Sequence, residues 1–131
     1  MRWILIGSLL GGLGVAAGAF GAHGLQGRLD ARDLAIFETA ARYQLLHAIV
    51  LVSIGVWASG GRVPEPALPT VHAAGWAFTL GVAVFSGSLY ALVATGVRKL
   101  GMVTPIGGLG MIVGWALLAW AAFRAMGHEG G

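Results

Sequence analysis

The sequence predicts an all-α, polytopic membrane protein, an antiparallel bundle of four transmembrane helices. Three observations predict it. Hydrophobic residues make up 57% of the 131-residue chain and charged residues only 10%, against roughly 25% charged in a soluble domain. So little polar surface cannot face water, and lipid is the solvent that fits. The apolar residues fall in four runs near the ~20 residues needed to cross a ~30 Å hydrocarbon core. The runs are continuous rather than alternating, which argues against a β-barrel, and an open sheet cannot satisfy its backbone in lipid.

The runs cover residues 3–22, 43–59, 71–96 and 102–123, in a single domain. No acidic residue falls inside any of them. Between the second and third, Gly60, Gly61, Pro64, Pro66 and Pro69 break the chain. Arg98 and Lys99 mark the next turn, and Thr104-Pro105 reads as a cap followed by a first-turn proline, an alternative start for the fourth helix. The long first connection contains Asp30 and Asp33, either of which can cap a helix running into the second span. Residues 31–42 are therefore expected as an interfacial helical extension. Leu34, Phe37 and Ala41 would pack inward, and Glu38 would pair with Arg42 one turn on. At the N-terminus, Arg2, an apolar run and Ala19-Phe20-Gly21 imitate a secretory signal peptide. The glycine pattern of this run suits a permanent span better. Phe20-Gly21-Ala22-His23 and Phe85-Ser86-Gly87-Ser88 hint at an internal duplication of two hairpins.

That glycine pattern is the clearest packing signal. Gly7, Gly11, Gly14, Gly18 and Gly21 recur at spacings of four and three, which on a helix is one narrow stripe containing two G-x-x-x-G motifs. Gly107, Gly110, Gly114 and Ala121 form a similar stripe on the fourth helix. Such grooves let another backbone come close, within the chain or, as the alternative, across a homo-oligomer. Trp3, Trp57 and Trp120 lie near span ends, where interfacial anchors sit.

Polar residues inside the spans are costly, so each needs a reason. Tyr43, Gln44 and His47 share one face of the second helix, and Ser86 and Tyr90 one face of the third. His23 ends the first helix, Ser88 lies beside Ser86, and Thr104 begins the fourth. In an antiparallel bundle all eight converge in one leaflet. The opposite leaflet offers only Ser8, Ser53 and Ser59, with His72 at an interface. The bland reading of the cluster is interhelical hydrogen bonding; the sharper one is a polar pocket for a ligand, lipid headgroup or ion. In either form His47 should point inward, with Tyr90, Ser86 or His23 as its partner. His23 and His47 could in principle ligate a haem or metal through neutral imidazole, and no carboxylate stands behind them within the membrane. No catalytic set, metal site or cofactor is expected. The absence of cysteine excludes thiolate chemistry and disulfides, and the scattered basic residues exclude a nucleic-acid partner.

Four segments resemble the signatures of the domain of unknown function 423 family, which includes the eukaryotic transmembrane protein 256 group. They are Gly18-Ala19-Phe20-Gly21-Ala22-His23-Gly24-Leu25, Tyr43-Gln44 with His47-Ala48, Phe85-Ser86-Gly87-Ser88-Leu89-Tyr90, and Thr104-Pro105-Ile106-Gly107-Gly108 with Gly114-Trp115 beyond. The resemblance runs in order over nearly the whole chain. It implies a small four-span protein of bacterial inner membranes, with cytoplasmic termini and no settled activity. The charge count points the other way: Arg28, Arg32, Arg42, Arg98 and Lys99 lie on the side of loops one and three, against Arg2, Arg62 and Arg124 on the terminal side. The function expected is that of a non-enzymatic structural or accessory protein, partnered by the bilayer and by another membrane protein or its own copy. The alternatives are a small transporter or channel and a haem- or metal-binding redox protein.

Overall fold

The computed structural model describes the backbone of residues 1–129. Four helices follow one another: α1 over Arg2–His23, α2 over Ala31–Ser59, α3 over Leu68–Thr95 and α4 over Thr104–Glu129. All four are long and apolar enough to cross a membrane, and no strand occurs among the described residues. Each packs chiefly on the next in sequence, so α2 and α3 form the centre and α1 and α4 flank it.

The ends follow from local chemistry. Asp30 is extended, and its carboxylate accepts from the Asp33 amide at 2.7 Å, capping α2. The helix then runs unbroken for 29 residues, about 43 Å at 1.5 Å per residue, which exceeds the hydrocarbon thickness and leaves its first turns outside. Ala41 is buried and Leu34 and Phe37 are half-buried. The expected Glu38–Arg42 pair is absent; both side chains are exposed, where water or headgroups solvate each charge and a pair gains little. Between α2 and α3, Gly61 turns with φ +68° and a short 3-10 turn over Glu65–Ala67 follows. Helix α3 begins at Leu68, ahead of Val71, because Pro69 suits the first helical turn. Gly96, left-handed at φ +71°, ends it. A second 3-10 turn, Arg98–Met102, leads into α4, which starts at Thr104 rather than at Met102.

The α1 glycines divide into two groups. Gly7, Gly14 and Gly21 are buried against α2: a Cβ on Gly7 would lie 2.7 Å from the Ala48 carbonyl oxygen, one on Gly14 2.9 Å from Leu45 Cγ, and one on Gly21 3.1 Å from the Phe37 ring. A Cβ on Gly11 would meet only Ala48 Cβ at 3.7 Å, and one on Gly18 nothing within 4 Å. The tight contacts therefore repeat every seven residues, the period of a left-handed pair, rather than every four. Between α3 and α4 the closest approach is at Gly107. A Cβ there would lie 2.6 Å from the Gly81 carbonyl oxygen and overlap the Phe85 amide nitrogen.

Trp3 departs from the expected interfacial role. It is 1% exposed. Its ring lies where a Cβ on Gly75 would stand, 2.6 Å away, and its Nε1–H donates to His72 Nδ1 at 2.8 Å. It joins Leu51, Ile54, Val71, Ala74, Phe78 and Ala121 in a core to which all four helices contribute. Only a glycine at position 75 leaves room for an indole to lie flat on α3, and His72 supplies the acceptor that a buried indole needs.

These contacts predict two opposite outcomes for the same chemical change. Gly107→Ala should lower stability by about 1–3 kcal/mol, the usual cost of overpacking, because backbone rather than a flexible side chain meets the new methyl. Gly18→Ala should leave it unchanged or slightly raised. Unfolding in detergent, followed by tryptophan fluorescence, measures both.

A candidate functional site: the polar network and the His47 niche

Gln44, buried on α2, is the branching point of the network. Its Nε2 donates to the Leu10 carbonyl of α1 at 2.8 Å, and its Oε1 accepts from the Tyr90 hydroxyl of α3 at 2.9 Å. One side chain thus fastens three helices. Gly14 makes the first bond accessible, since a Cβ there would press on Leu45 and stand 3.5 Å from Gln44 Cγ. Below it, Ser86 Oγ donates to the Ala40 carbonyl at 2.8 Å, joining α3 to α2. Ser88 and Thr104 share a 2.7 Å hydroxyl contact that joins α3 to α4. Ser88 also lies 2.9 Å from the Phe85 carbonyl, so the hydroxyl protons are placed if Ser88 donates there and Thr104 donates to Ser88. A cleft of about 300 Å³ opens above Gln44, Ser86 and Tyr90, walled by Leu10, Leu13 and Ala17 of α1 and Val82, Ala83 and Gly87 of α3.

The eight expected residues do not form one pocket. Gln44, Ser86, Ser88, Tyr90 and Thr104 make the interhelical bonds just described. His23 is exposed at the end of α1. The chain continues through Gly24 and leaves its ring outside the network. Tyr43 is 39% exposed; its ring packs on Phe85 at 4.6 Å and stacks on His47 at 6.1 Å. His47 does face inward, at 6% exposure. Its partner, however, is neither Tyr90, Ser86 nor His23. Nδ1 lies 2.8 Å from the Tyr43 carbonyl of its own helix. A carbonyl only accepts, so Nδ1 carries the proton, and in the neutral ring Nε2 keeps its lone pair. That lone pair is buried without a partner among the described residues. The ring is boxed by Phe78 at 5.5 Å and Trp115 at 6.2 Å. This niche is separate from the Gln44 network because α2 turns its successive faces toward different helices: Gln44 looks to α1 and α3, and His47 to α3 and α4.

Sequence reasoning did not place Phe78 or Trp115 beside His47; Trp115 entered only as part of a family-like segment, and no spacing rule links either ring to that face of α2. It also missed the pairing of Arg98 with Asp33. That pair is bidentate, with Nη2 to Oδ2 at 3.1 Å, and ties the third connection to the first turn of α2. No group of three metal-ligating side chains occurs among the described residues. Toward the C-terminal end of α2, Ser53 and Ser59 donate back to carbonyls of their own helix.

Comparison with known proteins bears on the whole of this arrangement. A family model described as a protein of unknown function, DUF423, matches residues 17–108. The chain belongs to this family. The matched stretch runs from the last turns of α1 to the start of α4 and holds all eight residues of the expected cluster. A UPF0382 membrane protein of Staphylococcus haemolyticus is 42% identical over 125 residues, 95% of this chain and 98% of its own length. Another, of Staphylococcus saprophyticus, is 39% identical over 122 residues, 93% and 97% of the two chains. No solved structure matches. This DUF423 chain is therefore a small multi-pass membrane protein of a family without an assigned function.

The ion pair carries a testable pH dependence. The hydrogen bond from Arg98 holds the Asp33 carboxyl below its ordinary value of 3.8, helped by the charges of Arg98 and Arg32 against a partial loss of solvent. Because the folded-state value is depressed, the stability it contributes is present above the unfolded value and is lost as pH falls through the folded one. Carboxyl-carbon NMR should place the Asp33 midpoint below 3.8, and Arg98→Ala should return it toward that value.

Proposed function

We propose that this protein is a non-enzymatic accessory component of the bacterial inner membrane, a compact helical unit that associates with a membrane-protein partner. The supporting observation is how the polar groups are used. Ser86, the one hydroxyl that could have been a nucleophile beside His47, gives its proton to the Ala40 carbonyl, and His47 Nδ1 is taken by Tyr43. A hydroxyl nucleophile needs a base within hydrogen-bond reach; Ser86 is bonded to the Ala40 carbonyl instead of to His47. A transporter needs polarity on both sides of the midplane or a broken helix, whereas α1 to α4 are each continuous. The long apolar flanks of α1 and α4, with Leu5, Leu9 and Leu13 on one and Ile112, Trp115 and Phe123 on the other, are exposed. They fit lipid and the flank of another membrane protein equally.

Purification in a mild detergent from the native membrane, with quantitative mass spectrometry, tests the reading. A specific partner should co-purify in a fixed ratio and survive Ser86→Ala, which removes a fastening and no reactive group. Loss of a measurable chemical activity on Ser86→Ala, in a folded protein, would contradict it.

A further inference from the structure

Every buried polar side-chain atom among the described residues has a hydrogen-bond partner except one, His47 Nε2. An imidazole nitrogen without a partner in hydrocarbon is destabilising, and a leucine would pack there without that penalty. We propose that His47 Nε2 is the hydrogen-bond acceptor for a hydroxyl of a membrane-dissolved hydroquinone with an apolar tail. The site neither requires nor excludes a protein partner.

Four features select that chemistry. First, Nδ1–H is committed to the Tyr43 carbonyl at 2.8 Å, so Nε2 of the neutral ring can only accept. The ligand must bring a donor, which a quinone, an ester or an ether lacks. Second, the donor is uncharged. His47 stands twelve residues before the end of α2 at Ser59, about 18 Å along the helix. A ~20-residue crossing ending there leaves it ~10 Å inside the hydrocarbon, too deep for an ammonium headgroup and costly for any ion. Third, Tyr43, Phe78 and Trp115 surround the imidazole with ring faces and edges, their centroids 6.1, 5.5 and 6.2 Å away. Planar aromatic ligands pack on such walls. Fourth, an apolar groove of about 450 Å³ lies between α2 and α4, lined by Ile49, Val50, Ile54, Trp57, Trp115 and Leu118. Trp115 is half exposed and belongs to both the groove and the niche. The tail lies in the groove, and an outward swing of the Trp115 indole admits the head to His47.

The test uses the full chain, labelled with ¹⁵N-histidine, in lipid nanodiscs under an inert, oxygen-free atmosphere with no added reductant. The probes are decylhydroquinone, its dimethyl ether and decylbenzoquinone, which share size and tail and differ in the donor. His47→Leu assigns the resonance. Decylhydroquinone should move the His47 Nε2 signal saturably toward the value of a hydrogen-bonded acceptor. The ether and the quinone should bind about tenfold more weakly, the worth of one neutral hydrogen bond. His47→Leu should weaken decylhydroquinone by a similar factor. If the ether or quinone binds within twofold of the hydroquinone, or if uptake does not saturate, or if the Nε2 signal stays in place, the proposal is wrong. Should His47→Leu fail to fold, the three probes on the unaltered chain decide the matter alone.

Discussion

In hydrocarbon a primary amide that lacks partners costs several kcal/mol, and the Gln44 side chain meets this constraint in a way that organises the molecule. Its two ends are satisfied by different helices, Leu10 of α1 and Tyr90 of α3. The bond to Leu10 uses a carbonyl that also serves its own helix, which has a second lone pair to offer. It can form only where α1 comes close, and Gly14 provides that approach. The rotation of α2 that turns Gln44 inward also turns Ala40, Ala48 and Leu51 inward, all of them buried. Once α2 is set in this rotation, His47 is directed to the seam with α4 and the carbonyl of Ala40 to Ser86. Several contacts are thus consequences of one satisfied side chain.

Close backbone approach supplies the rest. Lipid tails are as apolar as leucine, so helices gain by dispersion only where they interlock. The seven-residue recurrence of Gly7, Gly14 and Gly21 against α2, and the facing of Gly107 and Gly81 between α3 and α4, provide that interlocking. At the other end of the bundle Trp3 occupies the space left by Gly75 and bonds His72. The result is a bundle fastened at two levels, with a network toward the α2 start and a tryptophan–histidine pair near the chain's amino end. Between them, α1 and α3 stay far enough apart to leave the cleft over Gln44.

The four spans and the helical start of α2 were legible because they rest on composition, length and capping, which are local. That Gln44, Ser86, Ser88, Tyr90 and Thr104 meet between helices was legible too, since antiparallel succession brings those stretches of α2, α3 and α4 together. Partner choice was not. Gln44, His47 and Tyr43 share a face by spacing, yet one face of a buried helix meets several neighbours, and a few tens of degrees separate Gln44's partners from those of His47. Trp3 near a span end has the same sequence appearance whether it anchors in headgroups or fills the space at Gly75, a residue seventy-two positions away. The glycine stripe showed that α1 packs closely. It could not show that only every second turn does so, because spacings of four and three contain both periods. His23 matched the cluster in depth but not in direction, since the chain beyond it leads outward.

The coupling between Gln44 and Tyr90 tests the account most directly. A double-mutant cycle with Gln44→Leu and Tyr90→Phe, measured by unfolding in bicelles, isolates their bond from the packing each side chain also contributes. The account predicts a favourable coupling of about 0.6–1.7 kcal/mol, the range for interhelical hydrogen bonds in membranes, with Gln44→Leu the costlier single change because it also orphans the bond to Leu10. Coupling indistinguishable from zero, with both single variants as stable as the parent, would contradict the claim that this side chain holds three helices together.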